Sequence, residues 1–298
     1  MNRCTALTAL AAFFVFAFGL EAQEAITIKI KDAGEGEAAL IKRSENTTSK
    51  VKVTDGAGKV LVDQKELKGE VMEYKETILK REAGKPITKA QRDYTKAQKR
   101  DGEQTTELPL QGKSVLIEKK GEHYAFTYAN GEPLDGPAAA VLKNDFSGVA
   151  TGKELEKELL PGKAVKVGDT WKIDTAKIAQ LLTKDGKMEL DTAKAIGQGT
   201  LVKTYKKDGR LHGEMKFTMM LPLQTVGKGN QALKFADGAK IDLALSLDTC
   251  IDGTAVNGAL NLKMLMTGTA SIPAAPGATA TMHVTVEASE AQQEAAKK

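Results

Sequence analysis

The sequence predicts a mainly β fold: a curved antiparallel sheet or half-barrel with a few short helices in the middle of the chain. Three observations point there. Apolar and polar residues alternate with period two along most of the chain, Gly and Asp-Gly pairs punctuate the runs, and the helix-like segments are short and central. Two packed β domains are the other arrangement this pattern allows.

The N-terminus reads as an export signal. One basic residue, Arg3, precedes an uncharged run from Cys4 to Leu20 that holds Phe13, Phe14, Phe16 and Phe18, and Glu21 ends it. The run is near the lower limit for crossing a bilayer and the small Ala22 follows, so cleavage is expected after Ala22 or, as the alternative, Ala25. Cys4 stands before the apolar run, so it leaves with the signal and carries no lipid. Cys250 is then the one cysteine of the mature chain, which rules out an internal disulfide there. The expected location is the periplasm, the cell surface or the exterior.

Composition narrows the class of partner. The chain has 43 basic against 39 acidic side chains, a net +4, too weak a bias to imply nucleic acid or an anionic membrane. No stretch after the signal is apolar enough to form a transmembrane segment. The aromatics left beyond it, Phe126, Phe146, Phe217, Phe235, Trp171 and the 5 Tyr, are too sparse for the girdles of a membrane barrel or for base-stacking platforms.

Beyond the signal, Ile26, Ile28 and Ile30 alternate with polar residues. Lys50 to Thr54 and Lys59 to Asp63 form a hairpin about Asp55-Gly56-Ala57-Gly58. Glu70 to Arg81 is a charged strand or helix, which periodicity leaves open. From Pro86, the stripe Ile87, Ala90, Tyr94 and Ala97 predicts a helix whose other face carries Lys89, Arg92, Lys96 and Arg100. Val115 to Glu118 and His123 to Tyr128 pair about Lys119 to Gly121, with Tyr124, Phe126 and Tyr128 on one face.

Short helices are predicted at Pro137 to Asp145, Lys153 to Leu160 and Thr175 to Leu182, each near Gly or Pro. Leu201 to Lys206 and Leu211 to Leu221 flank the turn Lys207-Asp208-Gly209-Arg210. Ile241, Leu243, Leu245, Leu247 and Ile251 share a strand face. Leu260, Leu262, Met264 and Met266 repeat this after Asn257-Gly258, and Met282, Val284 and Val286 repeat it after Pro273 to Gly277. Such one-sided strands belong to an antiparallel sheet with one covered face. The expected organisation is a signal at 1–22, an N-terminal β half at 23–148, a helical connector at 149–164, a C-terminal β half at 165–288 and a polar tail at 289–298, frayed helix or disordered.

The string from Leu160 to Trp171, LPGKAVKVGDTW, resembles a segment of uncharacterised exported bacterial β-rich proteins, and implies a turn followed by a strand without implying an activity. In it, Gly168-Asp169 would swing Trp171 into the core between the two halves as a structural anchor. The overall outline looks like the half-barrels of lipoprotein carriers, a likeness of architecture alone.

Three features carry candidate chemistry. Met215, Phe217, Met219, Met264, Met266 and Met282 lie on apolar strand faces, and an open Met-rich wall would adapt to acyl chains or other apolar ligands, whereas a closed core would use the same residues as filler. Lys89, Arg92, Lys96 and Arg100 would face an anionic partner or simply solvent. Asp248, Cys250 and Asp252 share strand-face spacing, but no His lies nearby in sequence, so no metal site is expected. No cofactor is expected, because Gly34-Glu35-Gly36 and Gly197-Gln198-Gly199 lack a third glycine, and no G-x-S-x-G, S-x-x-K, H-E-x-x-H or Walker string occurs. The leading expectation is thus an exported binding module for an apolar ligand or lipid. Its rivals are a structural or interaction component of the envelope with a closed core and, third, a hydrolase with dispersed carboxylates.

Overall fold

The computed structural model describes residues 24–121, 123–134, 136–146, 152–183, 186–227, 232–275 and 278–296. The segment expected to be an export signal, Gly148 and the apex of the turn after Pro273 lie outside them. Fourteen strands form one curved, open antiparallel sheet, as the alternation predicts. The strands are β1 (Ala38–Thr54), β2 (Val60–Lys80), β3 (Lys89–Asp101), β4 (Gln104–Glu107), β5 (Ser114–Lys120), β6 (His123–Tyr128), β7 (Thr170–Lys172), β8 (Met188–Leu190), β9 (Ile196–Lys207), β10 (Arg210–Val226), β11 (Leu233–Lys234), β12 (Lys240–Cys250), β13 (Gly258–Ala275) and β14 (Ala278–Ala296). Their order is β6-β5-β3-β2-β1-β14-β13-β12-β10-β9-β7, with β4 on β3 and with β8 and β11 on β10.

One sheet therefore runs through both halves of the chain. The joint is β1 against β14, paired from Ala39↔Ala296 to Thr54↔Thr281, which excludes two separate β domains. It also corrects the expectation of a frayed or disordered tail. Residues 289 to 296 are strand, with β1 on one side and β13 on the other. Small and polar residues suffice there because both flanking strands supply the hydrogen bonds.

The helices α1 (Gly136–Phe146), α2 (Gly152–Leu159) and α3 (Thr175–Leu182) form where short Gly- or Pro-bounded segments predict them. Asp174 caps α3, its carboxylate accepting from the Lys177 amide at 3.3 Å. Between β9 and β10, Asp208 and Gly209 both take positive φ, 51° and 76°, which matches the twist of the hairpin.

All three helices lie on one face of the sheet. Over β2, β3, β5 and β6, Leu142 and Ala138 of α1 meet Tyr74, Ala97, Val115, Ile117 and Phe126. At the other end, Leu159 and Ile178 cover Leu201, Met215 and Phe217. Ile28 is buried in this second core and Ile26 and Ile30 pack against it, so the alternating N-terminal run is an extended segment laid on the core instead of a ladder strand.

The predicted helix after Pro86 is strand β3. Ala90, Tyr94 and Ala97 have helical spacing, yet all three are buried on one sheet face. The register against β2 passes from Tyr74↔Tyr94 to Glu73↔Lys96, leaving Thr95 as an extra, bulged residue. A bulge turns a spacing of two into three and so imitates a helical stripe.

Candidate functional site

Register alone assigns each strand residue to the covered or the open face. On β10, Met215, Phe217 and Met219 are buried on the covered face, beneath the C-terminal core. Leu243 stands opposite Met219, and Met264 stands opposite Leu243. Met264 and Met266 pack, half-buried, beside the cluster of Leu221, Leu223 and Ile241. Met282 pairs with Val53 and Ala270 farther along the same face and is half-buried. The six predicted residues thus share a face without forming one open wall, because the α2–α3 core closes over Met215, Phe217 and Met219.

A cavity of about 790 Å³ lies on the opposite, open face and crosses six strands. Two cross-strand rows build it. The first runs Gln198, Thr218, Ala244, Lys263, Ser289, Asn46 across β9, β10, β12, β13, β14 and β1. The second runs Ile196, Met220, Asp242, Leu265, Glu287, Thr48 over the same strands. Met219, Leu243 and Met264 border the cavity, but their side chains occupy the covered face. Ile196 is 62% exposed and Leu265 37%. On a sheet face that meets solvent, exposed apolar side chains gathered in a cavity mark a contact surface more often than a lone exposed residue would.

The electrostatics of this groove are uneven. Asp242 pairs with Lys240 at 2.9 Å and Glu287 with Lys50 at 3.9 Å. Lys263 has no ion-pair partner among the described residues. Asn46 accepts from Arg100 Nη2 through Oδ1 at 2.8 Å, which leaves its amide N–H groups for another partner.

The four predicted basic residues are dispersed. Arg92 is buried on the covered face, donating to Glu76 at 2.7 Å and to Asp145 of α1 at 2.6 Å. Lys89 pairs with Glu118, Lys96 stands opposite Glu73, and Arg100 reaches Asn46 on the open face. The helical face expected for an anionic partner does not exist, since a strand sends successive side chains to opposite sides.

Around Arg92, a polar cluster interrupts the covered face. Arg43 donates to Asp145 at 2.8 Å and Glu70 at 3.1 Å, and its Nε lies 3.0 Å from Glu45. The Arg92 guanidinium also stacks over Tyr74 and Phe146, 4.5 and 4.9 Å from the ring centres. Glu45 stands directly between Glu70 and Glu290. Burial raises the Glu70 pKa, against the pull of Arg43. Burial and then the nearby Glu45 charge raise that of Glu290.

Trp171 anchors β7 within the C-terminal core, a correction to its expected place between the halves. Its Nε1 donates to the Leu159 carbonyl at 2.7 Å, and its ring meets Phe217 edge-on with centroids 6.0 Å apart. It lies against Gly199, where an added Cβ would fall 2.3 Å from the ring. Asp248 accepts from Tyr205 at 2.7 Å, an interaction that pushes the Tyr205 pKa up to about 12. Cys250, buried opposite His212, donates to Asp252 at 3.1 Å. The Thr254 hydroxyl and the Leu211 amide are further donors that hold the Asp252 carboxyl well below the usual range. Among the described residues no group of three His, Cys, Asp or Glu side chains is placed to hold a metal, and no helix is long and apolar enough to cross a membrane.

Sequence reasoning missed the groove residues although a signal existed. Met264-Leu265-Met266 and Met219-Met220 are consecutive apolar residues inside alternating strands, and consecutive residues cannot share a face. Comparisons with protein-family models, curated proteins and solved structures found no match to this chain.

Proposed function

We propose that this chain is an exported binding protein that holds an elongated, largely apolar small molecule in the groove across the open sheet face. The observation that supports this reading is the clustering of Ile196, Met220 and Leu265 in one cavity of about 790 Å³, on a face that alternation would otherwise make polar. That volume falls within the ordinary range of small-molecule sites. The segment from Arg3 to Ala22 supports export. The ligand expectation drawn from methionine thus moves from Met215 and Met219, which are enclosed, to the other side of the same strands.

Native mass spectrometry with lipid extraction, on protein taken from its own host, tests this reading directly. A bound amphiphile that is lost from Leu265→Glu supports it. Protein that carries no ligand and does not enhance the fluorescence of a polarity-sensitive apolar probe overturns it.

A further inference from the structure

We infer that the groove selects single-chain amphiphiles with one anionic head, a carboxylate, which Lys263 receives. This inference rests on the groove being a ligand site. Lys263 sits mid-groove between Ala244 on β12 and Ser289 on β14, neither of which is charged. The two acids nearby are engaged elsewhere, Asp242 by Lys240 and Glu287 by Lys50. Lys263 therefore presents an ammonium with no ion-pair partner among the described residues.

What continues the row strengthens the sign of the charge. Ser289 follows Lys263, and Asn46 follows Ser289. The Asn46 carbonyl oxygen already accepts from Arg100, which turns the amide so that its N–H groups are free to donate to a ligand. An ammonium, a hydroxyl and an amide N–H₂ in line make a donor row suited to a carboxylate. On the other side, Leu265, Met220 and Ile196 lead the apolar chain toward β9. From Lys263 on β13 to β9 the groove crosses three strand spacings, roughly 14 Å, which suits an extended acyl chain of medium length. A single compact ammonium matches a monoanion better than it would a doubly charged head.

The test is equilibrium binding of a fluorescent fatty acid and of its methyl ester, to wild type, Lys263→Met, Lys263→Arg and Leu265→Glu. Wild type should bind the acid about fivefold more tightly than the ester, a preference that added salt reduces. Lys263→Met should bind both equally with an unchanged melting temperature, and Lys263→Arg should keep the preference. Equal binding of acid and ester by wild type overturns the head-group assignment and leaves the groove reading standing. Binding of neither probe overturns both. Sedimentation that shows a dimer which Leu265→Glu dissociates, with no probe bound, also overturns both, since a second copy would then fill the groove.

Discussion

Asp145, next to last in α1, accepts from Arg92 at 2.6 Å and from Arg43 at 2.8 Å, one carboxylate oxygen to each. Arg92 belongs to β3 and Arg43 to β1, so this single carboxylate ties the helix to two strands that β2 separates. Burial works against the charge on both arginines, yet their neighbours, Asp145 and Glu45 for Arg43 and Tyr74, Glu76 and Asp145 for Arg92, hold their pKa values above the ordinary range. The Asp145 and Arg92 side chains are each only 9% exposed.

Replacing Asp145 by Ala leaves two arginines short of a buried counter-charge. The expected loss is about 3 kcal/mol, read as a fall in the urea midpoint without a change in slope. An unchanged midpoint would mean that α1 is held by Leu142 and Ala138 alone.

Glu290 carries a raised pKa in the folded protein, so between the ordinary glutamate value and the raised one the folded state binds more protons than the unfolded. Its contribution to stability is present at low pH and is lost as pH rises through that window. Glu290→Gln removes the burden of burying charge beside Glu45. Its melting temperature should exceed wild type by about 2 °C at pH 7.5 and equal it at pH 4. Equality at both pH values would show that the row Glu70, Glu45, Glu290 is relaxed by solvent.

Met264 and Leu265 are neighbours whose side chains lie on opposite faces, which makes them a paired test. Leu265→Glu should abolish probe binding with little change in melting temperature. Met264→Glu should lower the melting temperature severely, because the charge enters the packing beside Leu221 and Ile241. The reverse outcome would place the ligand on the covered face.

Gly199→Ala puts a methyl group into the Trp171 ring, since the ideal Cβ position is 2.3 Å from its nearest atom. A loss of about 1–3 kcal/mol is expected, together with a red shift of the emission of the single Trp. Wild-type emission and stability in this variant would contradict the contact.

Deleting residues 289–298 should destabilise the whole protein, because β1 and β13 both lose ladder partners from Ser289 onward. Hydrogen exchange of the amides of Leu40 to Asn46 measures this, and full retention of their protection would favour the frayed or disordered tail expected from the sequence.

Local chemistry made much of the fold legible. Asp208-Gly209 predicts the hairpin between β9 and β10, the alternation from Ile241 predicts β12, and Thr175 to Leu182 predicts α3 in register, because turn dihedrals and side-chain periodicity are properties of a few adjacent residues. Where local pattern was double-valued it misled. Ala90, Tyr94 and Ala97 fit a helix as well as a bulged strand, and only pairing with Tyr74 and Met72 on β2 selects the strand.

The chain itself determines that a one-sided antiparallel sheet must form, since alternating apolar residues have no other way to leave water. Which face is covered where, and what the open face gathers, was decided by tertiary structure. The pairing of β1 with β14 brings Asn46 beside Ser289 and Lys263, and sets Glu45 between Glu70 and Glu290. Those neighbours are far apart in sequence. Their register is fixed by the summed hydrogen bonding and burial of whole strands, so no short window of residues carries it.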